Sequence, residues 1–319
     1  MAALLGVSPV ADGSSMPAIA GSSTSPTAYV VNSNRDTVTP IDLATDTTGT
    51  PIRVGRYPDA IAVAPDGKFA YVANAVSDTV TPIDVATDTT RRAIRVGSSP
   101  VALTIAPNGR MAYVVNEADD TVTPIDLATD TTGTPIRVGQ YPDAIAIAPD
   151  GKFAYVANAD SNSVTPIDLA THTTGRPIGV GPGPVAITIA SDGATAYVVN
   201  SYGNSVTVVD LATDVARRTI RAGSGPVAIA ITADGTTAYV LDATSNTVTP
   251  INLATYTTRR GIPVRSGPVA IAIAADGTTA YVASEVANTI TPIDLATDAP
   301  GRPIRVGSSP VAIAIVPHR

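Results

Sequence analysis

The chain of 319 residues lacks cysteine and tryptophan and contains only two phenylalanines and two histidines. Without cysteine, disulfides and thiolate metal sites are excluded. Hydrophobic residues make up 44% of the chain but aromatic residues only 4%, so the core must be built from Val, Ile, Ala and Leu. These small and branched side chains favour regular strands that pack closely.

Basic residues are also scarce, because lysine occurs only at Lys68 and Lys152 and the net charge is −7. A nucleic-acid-binding surface needs a basic stripe on a basic domain, so we expect no nucleic-acid partner. No apolar run approaches the roughly 20 residues of a membrane helix, and we expect no membrane span.

One motif returns along the chain at a constant distance. A tyrosine followed by valine recurs every 42 residues without insertion or deletion, at Tyr29, Tyr71, Tyr113, Tyr155, Tyr197, Tyr239 and Tyr281. A repeat of this length is typical of solenoids and propellers.

Each copy contains four strand signals separated by turns. In the copy that starts at Pro58 they are PDAIAVA, FAYVAN, TVTPIDVAT and AIRVG, and no helical period is present. Four short antiparallel strands in about 40 residues form the blade of a β-propeller. The sequence therefore predicts an all-β protein, a single seven-bladed β-propeller over residues 27–319 with four antiparallel strands per blade.

The strands of one copy differ in polarity, and this predicts their order. The first strand is apolar on both faces and should be innermost. The fourth is more polar and should form the outer edge, protected from pairing by arginines: Arg53, Arg95, Arg137, Arg221 and Arg305. Because Pro82 cannot donate to the ladder, we expect a bend or bulge in the third strand.

The repeat begins with a second strand near Thr27 and ends with an isolated first strand at 310–316. We expect this C-terminal strand to join the strands of residues 27–54 and close the ring, which removes two exposed edges. Residues 16–22 resemble a first strand weakened by Gly21 and Ser22. We expect residues 1–26 to form a flexible tail.

The stretches YVVN, YVAN and TVTPIDLAT, which recur from Thr27 to the C-terminus, resemble the YVTN-type β-propeller repeats of bacterial and archaeal surface-layer and secreted proteins. The resemblance implies a cell-surface or extracellular location. It also implies a ligand face formed by the loops between strands two and three (the 2–3 loops) and the loops between blades. Residues 1–26 lack the basic start and apolar run of a secretory signal, so a cytoplasmic location stays open.

Candidate binding residues lie where the copies differ. Five inter-blade loops end in PV, as in GSSPV and GSGPV, but two read RYPDA and QYPDA, with an aspartate where five copies have valine. The candidates are Arg56, Tyr57, Asp59, Tyr141 and Asp143, with Glu117, Asp119 and Asp120 of one acidic 2–3 loop. Carboxylates and aromatic rings around a concave mouth suit a sugar, a cationic group or a hard metal. The alternative is that the aspartates cap turn amides and the tyrosines cover strand ends.

These features favour a non-catalytic binding propeller, monomeric and without a cofactor, whose partner is a polar ligand, a glycan or a protein. A divalent cation at the channel mouth stays open. One alternative is a metal-dependent lyase or hydrolase that uses the mouth carboxylates, as in the lyases and lactonases of the broader propeller group. Another is a purely structural ring. The positions of His172 and His318 do not predict one metal cluster, and no cysteine nucleophile exists.

Overall fold

Every copy of the repeat folds into one antiparallel sheet, and the computed structural model, which describes residues 27–317, contains seven such blades. We number the blades in chain order from blade 1, which contains Tyr29. The seven-bladed propeller predicted from the 42-residue period is confirmed. The predicted tail over residues 1–26, with the strand-like stretch at 16–22, lies outside the described residues, as does His318.

The three inner strands of each blade are six residues long. The innermost strands, from blade 1 to blade 7, are Pro310–Ile315, Pro58–Val63, Pro100–Ile105, Pro142–Ile147, Pro184–Ile189, Pro226–Ile231 and Pro268–Ile273. The second strands are Thr27–Asn32, Phe69–Asn74, Met111–Asn116, Phe153–Asn158, Thr195–Asn200, Thr237–Asp242 and Thr279–Ser284. The third strands are Thr37–Asp42, Thr79–Asp84, Thr121–Asp126, Ser163–Asp168, Ser205–Asp210, Thr247–Asn252 and Thr289–Asp294.

The outer strand is continuous in blade 5, at Val215–Arg221, and is split into two short pieces elsewhere. The pieces are Thr47–Thr48 and Ile52–Arg53, Thr89–Thr90 and Ile94–Arg95, Thr131–Thr132 and Ile136–Arg137, Thr173–Thr174 and Ile178–Gly179, Thr257–Thr258 and Ile262–Pro263, and Ala299–Pro300 and Ile304–Arg305. The edge arginines are exposed. Within residues 27–317 the single helical segment is the 3-10 turn Ser33–Arg35, and no helix is long and apolar enough to cross a membrane.

Proline explains why the outer strand is split. The predicted bend or bulge at Pro82 in the third strand is wrong. The third strand of blade 2 passes through Pro82 in an unbroken register with the second strand. The Pro82 carbonyl accepts a hydrogen bond from the Arg91 N–H in the outer strand. Because N–H and C=O of one strand residue point to the same neighbour, the N–H that proline lacks also faces the outer strand, and the ladder breaks there. In blade 5 Val208 replaces this proline, pairs with Arg218, and the outer strand is continuous.

The ring closes as predicted. The C-terminal strand Pro310–Ile315 pairs antiparallel with Thr27–Asn32, with Val30 opposite Ile313. The innermost strand of blade 1 therefore comes from the end of the chain and its other strands from the beginning. This pairing removes two sheet edges that would otherwise be open.

In five of the seven blades a buried asparagine amide and a glycine pack together where the inter-blade loop meets the blade. Asn116, at the end of a second strand, is fully buried, and its side-chain amide donates to the hydroxyls of Thr121 (3.1 Å) and Thr123 (2.8 Å). A Cβ on Gly97 would lie 2.6 Å from Cγ of Asn116, so a larger residue would collide. Blade 7 confirms the coupling, because Arg265 replaces the glycine where the smaller Ser284 replaces the asparagine.

Candidate functional site

The 2–3 loops and the inter-blade loops meet on one face, as the resemblance implied. The last residue of each 2–3 loop accepts a backbone hydrogen bond from the inter-blade loop that follows; Asp36 Oδ1 accepts from Tyr57 N (2.8 Å) and Asp120 Oδ1 from Tyr141 N (2.9 Å). Aspartate or asparagine fills this role in all seven blades of the described chain. We call this side of the ring the mouth face.

Each innermost strand begins with a β-bulge. In blade 2 Pro58 pairs with Asn74 and Ala60 with Ala73, so the residue between them has no partner in the ladder. A bulge redirects the side chain of the extra residue and often lies beside a functional site. The bulge position is occupied in the seven blades by Val311, Asp59, Val101, Asp143, Val185, Val227 and Val269.

Asp143, in blade 4, is the most unusual of these residues. It is 2% exposed, and its Oδ1 atom has no hydrogen-bond partner. Burial raises the pKa of Asp143 to about 8, and the negative charges of Glu117 and Asp59 add to the rise. A carboxyl group with this pKa is largely protonated at neutral pH.

Asp59, in blade 2, is 5% exposed and in a similar environment. Burial raises its pKa to about 7, and Glu117 of blade 3 and Glu285 of blade 7 contribute to the rise. Acidic groups from four blades are therefore near enough to act on one another electrostatically, and all four belong to loops or strand starts of the mouth face.

Glu117 connects the loops on its two sides. The nearby hydroxyls of Tyr141 and Ser99 favour the ionised form of its carboxyl group, but burial outweighs them and raises the pKa of Glu117. The Tyr141 ring is 45% exposed and the Tyr57 ring 49% exposed. The mouth thus has buried carboxyl groups inside and half-exposed aromatic rings at its rim.

A family model describes this arrangement of repeats. The YNCE-like beta-propeller model matches residues 1–112 and 217–319, together about two thirds of the chain. The chain belongs to the YNCE-like beta-propeller family. No curated protein matches it.

Solved structures share the fold of this YNCE-like propeller. A functionally unknown protein from Desulfotomaculum acetoxidans DSM 771 is 18% identical with a TM-score of 0.81, over 91% of this chain and 99% of that chain. A putative 6-phosphogluconolactonase from Bacteroides fragilis NCTC 9343 is 18% identical with a TM-score of 0.78, over 93% and 99%. Hydrazine synthase of Kuenenia stuttgartiensis is 23% identical with a TM-score of 0.74, over 80% and 88%. At these identities the likeness shows the fold alone.

Three other predicted site residues of the YNCE-like propeller make turn contacts on the mouth face. Arg56 is exposed, and its backbone N–H donates to Ser77 Oγ (2.7 Å). Asp119 Oδ2 accepts from Ser98 N (2.6 Å), and Asp120 caps the loop at Tyr141. Asp119 and Asp120 thus cap turn amides, which was the alternative role considered for Asp59 and Asp143. Asp143 Oδ1, by contrast, accepts no hydrogen bond from a turn amide.

Two residues at the mouth were missed from the sequence. Glu285 acts on Asp59 and accepts a hydrogen bond from the Ser309 hydroxyl (2.6 Å). The Ser99 hydroxyl lies near Glu117 and opposes the rise of its pKa. A signal was available, because Glu117 and Glu285 are both the first residue of a 2–3 loop, where the other copies have serine or alanine.

His172 lies on the opposite face of the propeller. Tyrosines of the second strands reach the next blade there, and the Tyr29 hydroxyl donates to Asp88 Oδ1 (2.5 Å). His172 takes the place of this aspartate, with Nε2 at 3.4 Å from the Tyr113 hydroxyl. Over residues 27–317 no group of three or more His, Asp or Glu side chains is arranged to hold a metal ion.

Two open grooves, of about 500 and 630 Å³, lie between the outer parts of neighbouring blades. The smaller one contains Arg221 and Arg259, but Arg259 already forms an ion pair with Asp298 (3.0 Å). We place the candidate site at the mouth rather than in these grooves, because Asp143, with a buried Oδ1 that has no hydrogen-bond partner, occupies a bulge at the mouth.

Proposed function

We propose that this chain is a non-catalytic binding propeller that holds a polar ligand at its mouth face. One observation carries the proposal: Asp143 is buried with an unpartnered oxygen at a position where five other copies in the same chain have valine. Burial of a polar group without a hydrogen bond opposes folding. Valine would fill the bulge without that penalty, so a carboxyl group here is explained by a ligand that uses it.

The size of the penalty supports this interpretation. One pKa unit corresponds to about 1.4 kcal/mol, so a rise from 3.8 to about 8 corresponds to roughly 6 kcal/mol at alkaline pH. The whole free energy of unfolding of a domain is typically about 5–15 kcal/mol. A ligand that pairs with the carboxylate would recover part of this energy.

The same observation favours one second candidate, a lyase or hydrolase that uses carboxyl groups of the mouth. A general acid or base works best with a pKa near the operating pH, and Asp59 and Asp143 have pKa values of about 7 and 8. An assay with sugar lactones and esters tests this candidate. Turnover that disappears in Asp143→Asn would replace the binding proposal by the enzymatic one.

A thermal-shift screen tests the binding proposal. The full chain is screened against amines, carboxylates, sugars and divalent cations, since a ligand that binds only the folded state raises the melting temperature in proportion to ln(1 + [L]/Kd). We expect at least one class to stabilise the wild type and to lose its effect in the double variant Asp59→Asn/Asp143→Asn.

The matched control is Asp150→Asn, which removes one carboxylate from the opposite face, where Asp150 pairs with Lys152 (3.4 Å). Ligand-induced shifts should be unchanged in this control. A ligand that stabilises the wild type and the double variant equally would place binding elsewhere and overturn the proposal.

A further inference from the structure

The charges of the described residues that act on Asp143 are all acidic. Within residues 27–317, the charged groups that act on it are Glu117 and Asp59. Asp160 and the Tyr141 hydroxyl act in turn on Glu117. These groups come from blades 2, 3 and 4, and Glu285 of blade 7 acts on Asp59. An anion would be repelled from this space, and a cation attracted.

We propose that the mouth binds a primary ammonium group at the end of an aliphatic chain, with the carboxylates of Asp143 and Asp59 as its counterions. This inference rests on the proposed function and names its ligand class. The unpartnered Asp143 Oδ1 accepts one of the three N–H donors of the ammonium group.

The burial of the two carboxyl groups selects a slender cation. Asp143 is 2% and Asp59 5% exposed, so a ligand must part the side chains that cover them, and a narrow group does this with the least displacement. A primary ammonium group on an unbranched chain meets this condition, whereas a quaternary ammonium group is bulky and has no N–H to donate. A metal ion would need several ligands at short distance, and residues 27–317 contain no such group of three.

The walls and rim of the mouth suit the aliphatic part of the ligand. Val101, Val185 and Val311 occupy the bulge position in neighbouring blades and are buried. The half-exposed rings of Tyr57 and Tyr141 stand at the entrance, where they can cover methylene groups or attract a second cationic group through their π faces. A diamine therefore has a place for both of its ends.

Binding should release a proton. Asp143 is largely protonated at neutral pH, because burial and the charge of Glu117 raise its pKa to about 8. The ammonium group pairs with the ionised form, so the carboxyl proton passes to the buffer when the ligand enters. Affinity must then rise with pH up to the pKa of Asp143, and alkylamines stay protonated over this range because their pKa is about 10.

Isothermal titration calorimetry of the full chain with 1,5-diaminopentane tests the inference. From pKa values of about 8 and 7, the ionisation of Asp143 should lower Kd roughly 30-fold between pH 6.5 and pH 9, and that of Asp59 about fourfold further. At pH 7.5 the observed heat should differ between phosphate and Tris buffers, because the released proton is taken up with different enthalpies. A Kd that does not change with pH would overturn the inference.

Variants and analogues sharpen the test. Asp143→Asn should weaken binding at pH 9 at least tenfold and reduce the pH dependence to the roughly fourfold change that Asp59 contributes. Its melting temperature should be no lower than that of the wild type, whereas Asp150→Asn should bind as the wild type does. A comparison of Nα-acetyl-lysine amide with the diamine distinguishes two sources of the ammonium group. Tighter binding of the lysine derivative indicates a lysine side chain of a partner protein, and weaker binding indicates a free amine. Either result supports the ammonium site.

Binding of tetramethylammonium or Ca²⁺ in place of the diamine would overturn the ammonium inference. Binding of a sugar that requires Asp59 and Asp143 would also overturn it but leave the proposed binding function standing. If no member of the screen binds, both fail.

Discussion

One buried carboxyl group away from the bulges allows a quantitative test of the energetics. Asp242 ends the second strand of blade 6, where five other blades have asparagine, and it is completely buried. Its Oδ2 accepts hydrogen bonds from the hydroxyls of Thr249 (2.6 Å) and Thr247 (3.4 Å). Asp242→Asn therefore places a residue that fits the same site in other blades.

The expected gain in stability depends on pH. Burial raises the pKa of Asp242 from 3.8 to about 6, although the Thr249 hydroxyl opposes the rise. Below pH 3.8 the carboxyl is protonated in both folded and unfolded states, and its ionisation has no effect. As the pH rises toward 6 the unfolded state ionises first, so the wild type loses stability, and the loss is complete above about pH 7. From the size of the shift, Asp242→Asn should gain roughly 2–3 kcal/mol more at pH 7.5 than at pH 4.

Urea unfolding of the wild type and Asp242→Asn at pH 4, 5.5 and 7.5 measures this difference. Other carboxyl groups, including Asp59 and Asp143, are present in both proteins and cancel in the comparison. The converse variant Asn116→Asp should lose stability with rising pH. If the difference between the wild type and Asp242→Asn is the same at all three pH values, the reasoning on burial is refuted.

Three further predictions concern the fold. Removal of residues from Pro310 onward leaves Thr27–Asn32 without its inner partner, so the melting temperature should fall sharply; an unchanged melting curve contradicts ring closure. Gly97→Ala should lower the free energy of unfolding, measured with urea, by about 1–3 kcal/mol because the new methyl group collides with Asn116. Adding Asn116→Ser should restore part of this loss, and strictly additive effects of the two substitutions would contradict the collision. Val208→Pro should split the outer strand of blade 5 and speed amide exchange of Arg218, the partner of Val208, relative to the wild type, and unchanged protection there would contradict the proline account.

Most of the fold was predictable because every copy solves the same packing problem. The 42-residue period with four strand signals predicts the blade, and the terminal strand at 310–316 predicts closure. The effect of Pro82 was placed in the wrong strand, because a sequence does not reveal which neighbour the missing N–H faces. That direction follows from the Arg91 hydrogen bond to the Pro82 carbonyl.

The candidate site was predictable where one copy departs from the others. Asp59 and Asp143 were found because five copies have valine at their position. Their burial was not predictable, since it depends on the bulge and on groups from blades far apart in sequence. Glu285 was missed for this reason: it acts on Asp59 across the ring. Asp119 and Asp120 look similar in sequence but cap loop amides.

The titration of Asp143 tests the central claim most directly. NMR can follow the chemical shift of the Asp143 carboxyl carbon against pH in the full chain, which gives the pKa of the carboxyl group. The variants Asp59→Asn and Asp143→Asn assign the signal. The account predicts a pKa near 8 in the free protein and a fall of at least one unit when 1,5-diaminopentane saturates the mouth. A value near 4 in the free protein would contradict it.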